Sequence, residues 1–246
     1  MFDFLKNHPF PVEAFFESST VLTFAVPKEQ LQDLIPECLE LDTFKEKFGF
    51  IAVAMVQTKN LRPKGFPKFL GNDFFLIGYR IFVRFTNEKG KRLRGLFILK
   101  SETDKKKMEV LGNIFTKYSY TTTDINQSKT NNIIEINSKK SKFNLTILNT
   151  FEEIPLPENS PFENWKEARH FAGPLPFTFS YTANDKKVLI IEGVRENWTP
   201  NPLKVIDYNF EFLKLLNLSN VVLANAFIIK NIPYQWKKGR IEQWNN

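Results

Sequence analysis

One cysteine, Cys38, stands in a chain of 246 residues, so no disulfide can close within it. It lies in Ile35-Pro-Glu-Cys-Leu-Glu40 with no histidine nearby in sequence, and reads as a buried, inert thiol. There are only two histidines, His8 and His170. No Cys/His cluster has zinc spacing, so no metal and no cofactor is expected. The chain has no Gly-x-Ser-x-Gly elbow, no P-loop and no dinucleotide-binding glycine motif. Serine-hydrolase chemistry would depend on His170, and no nucleophile stands out to go with it. No run approaches the roughly 18 apolar residues of a membrane span. The polar opening Met1-Phe-Asp-Phe-Leu-Lys-Asn-His-Pro9 is no signal peptide, so a cytoplasmic location is expected. Without such a signal the glycosylation patterns at Asn144 and Asn197 carry no weight. There is no internal repeat and no low-complexity segment.

What the chain does have is phenylalanine, 26 residues of it, within 42% hydrophobic and 25% charged residues overall. That composition belongs to a globular protein with packed sheets. The length allows one large β-rich domain or two small ones. We expect one domain over residues 1–246, because either side of the Pro-rich stretch 154–161 would leave apolar strands uncovered. The net charge is +7. Its lysines are scattered along loops in short groups such as Lys105-Lys106-Lys107 and Lys139-Lys140, which read as solvated. No nucleic-acid motif accompanies them, so no nucleic-acid partner is expected.

Strand patterns run over Phe16–Val26, Leu39–Phe44, Phe48–Gln57, Phe74–Phe85 and Leu93–Leu99. Three more, Tyr118–Asp124, Asn132–Asn137 and Lys142–Leu148, look like a meander. The second half adds Phe177–Thr182, Lys187–Arg195, Val205–Phe212 and Val221–Ile229. Helical patterns cover Pro27–Ile35, Thr103–Phe115 and a segment ending near Phe171, the last opened by the capping box Ser160-Pro-Phe-Glu163 and stopped by Gly173-Pro174. A short helix is read at Lys214–Leu218. Many strands with few short helices and no strand–helix alternation predict an α+β, mostly antiparallel architecture.

Alternation along Phe74–Phe85 places Phe75, Ile77, Tyr79, Ile81 and Val83 on one face and Phe74, Leu76, Gly78, Arg80 and Phe82 on the other. Both faces are apolar, so both should be covered, and Arg80 intrudes as a salt-bridge partner or an anion ligand. In Lys187–Arg195, Glu192 shares a face with Val188, Ile190 and Val194, while Arg195 lies on the other. Burial of Glu192 would make it a general acid or base; the alternative is an ion pair with Arg80 or Arg169. Arg169 and His170 occupy the last turn of their helix, where the dipole favours cations. They are also candidates for one wall of a pocket. His8, near the terminus, is read as incidental.

Several of these stretches resemble an uncharacterised bacterial family often called YqjF-like. They are Pro27-x-x-x-Leu31-x-x-Leu34-Ile35-Pro36-x-x-Leu39-Glu40-Leu41-Asp42, the Arg62-Pro-Lys-Gly65 loop and Tyr79-Arg-Ile-Phe-Val83. More specific are Ala168-Arg-His-Phe-Ala-Gly-Pro-Leu-Pro-Phe-Thr-Phe179 and Ile191-Glu-Gly-Val-Arg-Glu-Asn-Trp-Thr-Pro200. That family is similar in fold to acetoacetate decarboxylase, whose curved antiparallel sheets form a closed, cone-like barrel around an apolar pocket. The resemblance implies Schiff-base chemistry on a β-keto acid through a lysine with a lowered pKa. Here Ser119 and Tyr120 stand at the lysine positions, Lys117 falls two residues early, and Leu76 lies near the expected acid.

Three functions therefore stay open from sequence. The first is an apolar pocket for a small carboxylate or keto compound, of unknown reaction, with Arg80, Arg169, His170 and Arg195 as ligand-binding groups. The second is a decarboxylase- or aldolase-type enzyme using Lys117 and Glu192. The third is an interaction protein with a basic surface. The ligand's identity and the oligomeric state are not specified by the sequence.

Overall fold

The computed structural model describes residues 4–148, 154–196 and 199–244. The chain opens with a long strand, β1 (Val12–Pro27), which turns through two single 3-10 turns at Lys28–Gln30 and Gln32–Leu34 rather than the α-helix expected there. Pro36 follows too closely for a helix to propagate. A two-residue strand, β2 (Glu40–Leu41), follows and pairs with Arg84 and Val83. Next come β3 (Phe48–Pro63), β4 (Asn72–Thr86), β5 (Arg92–Thr103), α1 (Lys106–Phe115), β6 (Tyr120–Thr122), β7 (Asn126–Thr130), β8 (Ile133–Ser138) and β9 (Phe143–Leu148). The second half carries α2 (Trp165–Ala172), β10 (Phe177–Thr182), β11 (Lys187–Arg195), β12 (Asn201–Pro202), β13 (Lys204–Phe210), α3 (Glu211–Leu215), β14 (Val222–Trp236) and β15 (Arg240–Gln243). No helix among the described residues is long and apolar enough to cross a membrane.

Seven strands pair in a ring. In order they are β14, β1, β3, β4, β5, β10 and β11, and β11 pairs back onto β14 through Gly193–Trp236, Val194–Gln235 and Arg195–Tyr234. All pairs in the ring are antiparallel except β5 with β10. Strands from both halves of the chain thus share one sheet. The architecture is the mostly antiparallel, strand-rich one that the pattern predicts.

Both faces of this sheet are covered, and for different reasons. A second sheet, β13-β9-β8-β7, lies on the outer face. Its Ile136, Phe143, Leu145 and Ile147 pack on Leu22, Phe24, Val53, Met55, Phe75, Ile77 and Tyr79. Each such fully buried aliphatic or aromatic side chain contributes about 1.5–3 kcal/mol through removal from water. The inner face encloses a cavity. Its walls include small residues, among them Ser19, Ala52, Ala54, Ser101 and Gly193.

Two of the family-like motifs have structural duties. Asp42, fully buried, accepts from Arg84 Nε at 2.5 Å and from Arg94 Nε at 2.6 Å. Arg94 also donates to the Phe171 carbonyl at 2.8 Å and lies over its ring, tying the end of α2 to the sheet. Arg62 donates to the carbonyls of Phe66 and Asn60, both at 2.8 Å, and pairs with Glu13, bracing the loop after β3. Cys38 is buried, and burial pushes its thiol up to about 12. The start of α2 differs from the sequence expectation. Asn164, not Ser160, is its N-cap, accepting from the Glu167 N–H at 2.9 Å, and Glu167 returns the bond to the Glu163 N–H. Ser160 instead donates to the Ala224 carbonyl.

Candidate functional site

The cavity inside the ring has a volume of about 270 Å³. The even face of β4 supplies Phe74, Leu76, Arg80 and Phe82 to its wall, as alternation predicts. From β11 come Ile191, Gly193 and Arg195, and from β14 Phe227, Ile229, Ile232, Tyr234 and Trp236. The Gly173-Pro-Leu-Pro176 break after α2 closes one side, and α1 with Tyr118 and Tyr120 closes another. Among the described residues, the lining contains no aspartate, no glutamate and no lysine.

Arg80 folds its guanidinium back over Gly78, where an added Cβ would stand 3.1 Å from both Nε and Nη2. Gly78 thus makes the shelf on which the charge rests. The Arg80 Nε is buried and has no hydrogen-bond partner among the described residues. Arg195 donates to the Pro174 carbonyl, which ties the Gly-Pro break to the end of β11. Its guanidinium also reaches Tyr234.

Three phenols add to the polar part of the wall. Burial pushes the Tyr118 hydroxyl well above its ordinary value, while its hydrogen bond with Thr178, at 2.7 Å, and the charge of Arg80 pull the other way. Burial pushes Tyr120 up to about 12 against the same charge. Tyr234 is raised by burial too, with Arg195 and Arg80 opposing. All three therefore stay protonated at neutral pH and can donate hydrogen bonds. His8 lines the cavity too; burial lowers its pKa to about 4, so its imidazole is neutral.

The sequence-derived candidates separate into two groups. Arg80 and Arg195 come together in the cavity wall. Glu192 does not join them: it sits on the outer face of β11, its side chain 37% exposed, paired with Lys237 Nζ at 2.8 Å. Neither the buried acid or base nor the ion pair with Arg80 or Arg169 is what Glu192 forms here; alternation alone does not say which face of its strand is inside. Arg169 and His170 are exposed on α2, since Ala168 and Ala172 take the helix face that packs inward. Arg169 instead borders a separate recess with Trp165, Lys166 and Asn225. Lys117 is half-buried and donates to Thr182 Oγ1, away from the cavity that its neighbours Thr116 and Tyr118 line. Ser119, at the position aligned with a catalytic lysine, is exposed in a left-handed conformation, φ 52°.

Sequence reasoning missed Tyr118, Tyr120, Tyr234 and His8. Tyr234 lies beyond the expected end of its strand at Ile229. His8 is not incidental to the fold: its N–H bonds the Phe115 carbonyl at 3.1 Å and its carbonyl accepts from Gly239 at 2.8 Å. Asn197 and Trp198 of the second motif lie outside the described residues.

The family DUF2071, described as an uncharacterized conserved protein, matches residues 14–229. The chain belongs to that family. Its fold is similar to that of acetoacetate decarboxylase from Legionella pneumophila subsp. pneumophila str. Philadelphia 1, with a TM-score of 0.61 at 11% identity over 95% of this chain and 87% of that one. An acetoacetate decarboxylase-like enzyme from Sphingomonas wittichii RW1 gives 0.57 at 9% identity over 98% and 94%. The enduracididine biosynthesis enzyme MppR, complexed with the condensation product of pyruvate and imidazole 4-carboxaldehyde, gives 0.56 at 10% over 95% and 89%. At such identities the likeness is one of fold. No curated protein matches the chain in sequence.

Proposed function

We propose that this DUF2071 chain binds a small carboxylate or keto compound inside the ring, with Arg80 and Arg195 on its anionic head and the apolar wall around its body. One observation carries the reading. Of the three arginines in the described lining, Arg62 is paired with Glu13, but Arg80 and Arg195 face a lining that holds no carboxylate, and the buried Arg80 Nε lacks a hydrogen-bond partner there. A buried cation without an acid is costly, and an anionic ligand that accepts from it offsets that cost. Guanidinium suits a planar carboxylate, which takes two N–H donors at once. The phenols of Tyr118, Tyr120 and Tyr234 add neutral donors for a second oxygen, such as a keto group. The MppR structure, which holds a condensation product of pyruvate, is a precedent for a ligand of this class on this fold.

Schiff-base chemistry through Lys117 has no comparable support, because the amine is engaged with Thr182 and no lysine is among the cavity's described lining. Calorimetric titration with hexanoate, phenylacetate and pyruvate, each beside its amide, tests the reading. The acids should bind and the amides should not. R80M and R195M should each weaken the acids by about ten- to a hundredfold, the range for hydrogen bonds to charged groups. Equal binding of acid and amide, or unchanged affinity in both variants, would sink it.

A further inference from the structure

The geometry points to His8 as a second polar anchor in the same cavity, so that the ligand is a two-ended molecule: a carboxylate at one end and a neutral hydrogen-bonding group, a hydroxyl or carbonyl, at the other. The inference rests on the carboxylate reading above and adds to it the chemistry of the far end.

His8 is 6% exposed, lines the cavity, and its Nε2 is buried with no hydrogen-bond partner among the described residues. A buried polar atom without a partner is a liability that an apolar residue would avoid. The backbone holds the imidazole in place rather than leaving it adrift. Its N–H is bonded to the last residue of α1, its carbonyl to Gly239 between β14 and β15, and its own φ is 52°. A non-glycine residue in that left-handed conformation needs such support to persist. The ring is neutral, so it attracts a neutral donor or acceptor and gives a second carboxylate nothing to pair with.

His8 stands apart from the arginine charges: burial alone lowers its pKa, whereas the charge of Arg80 reaches Tyr118, Tyr120 and Tyr234. The Gly239 backbone that bonds His8 packs against the Leu189 side chain. Leu189 lies six positions before Arg195, so the segment that holds His8 meets β11 near its start while Arg195 stands at its end. Between Leu189 and Arg195 the wall is apolar, with Ile191 and, paired with Gly193, Trp236. A compact acid would reach the arginines alone; a longer one with a polar tip would satisfy both ends.

The test uses butanoate, hexanoate and octanoate, each with and without a terminal hydroxyl, and phenylacetate with and without a para-hydroxyl, titrated into the wild-type protein, H8F and H8Q. In the wild type, at least one hydroxylated acid should bind about three- to tenfold more tightly than its parent, the effect of one neutral hydrogen bond. H8F should erase that preference while leaving the parent acids bound, and H8Q, which keeps a hydrogen-bonding tip, should retain part of it. R80M should weaken both members of each pair alike. If the parent acids bind but no hydroxylated acid is preferred, or H8F keeps the preference, this inference fails and the carboxylate reading stands. If no acid binds at all, both fail. The wild-type comparison decides the matter even where H8F does not fold.

Discussion

The hydroxyl of Tyr234 lies 1.9 Å from where a Cβ on Gly193 would stand. Gly193 is in the motif Glu192-Gly-Val-Arg195, and the glycine is what lets the phenol cross to Arg195 at the seam where β11 pairs back onto β14. An alanine there must push the ring or the strand aside. Gly193→Ala should cost about 1–3 kcal/mol, the usual range for overpacking, and weaken carboxylate binding along with it. Adding Tyr234→Phe removes the clashing oxygen and should recover part of the stability but not the binding. Denaturant unfolding of the single and double variants checks this; equal stability of Gly193→Ala and wild type would contradict the packing.

Arg80 should oppose stability while serving binding. With its Nε buried and unpartnered among the described residues, the side chain bears a desolvation cost that a methionine of similar length would not. Arg80→Met should leave the melting temperature unchanged or raise it by a few degrees, and should abolish the rise that carboxylates produce in the wild type. A clear fall in melting temperature, with that rise intact, would mean that Arg80 is a structural ion-pair member.

How far the sequence reached can be seen on two strands. In β4, local alternation separated the two faces and marked Arg80 as the intruder, because a period of two needs no knowledge of the partner strands. In β11 the same alternation separated Glu192 from Arg195 but left open which faced inward. The outer neighbours of Glu192, Val188 and Ile190, are buried too, under other parts of the chain. The helix start was misread because Ser160-x-x-Glu163 and Asn164-x-x-Glu167 carry the same capping pattern four residues apart, and only packing chose the second. Tyr234 and His8 reach the site through ring closure and through backbone bonds to distant segments. Neither relationship leaves a local mark.

Asp42 should be the most sensitive charged position for folding. Its buried carboxylate is shared by Arg84 and Arg94, and Arg94 extends the link to Phe171. Asp42→Asn keeps the shape but removes the charge that balances two cations. The loss should be about 3 kcal/mol, the low end for breaking a buried pair, since both arginines are partly exposed and can rehydrate. Chemical denaturation should register it as a lower midpoint with an unchanged slope. A change below about 1 kcal/mol would show that the pair contributes no more than a surface one.

Acid should act on His8. Burial holds its pKa near 4 in the folded chain, against 6.5 for the free side chain. Between those values the unfolded chain binds one more proton than the folded one. Stability therefore rises with pH across this window and is lost as pH falls through it. The slope from this one group is about 1.4 kcal/mol per pH unit, so the full loss by pH 4 is at most about 3 kcal/mol. Above pH 6.5 the group contributes no pH dependence. Carboxylates also titrate on acidification, so the diagnostic quantity is the difference between wild type and His8→Gln at each pH. Measured by urea unfolding from pH 7.5 down to about 4, that difference should stay flat above pH 6.5 and then move steadily against the wild type as the pH drops. Parallel curves over the whole range would mean that His8 takes up its proton in the folded chain as readily as in the unfolded one, and that the imidazole is not held dry against the cavity.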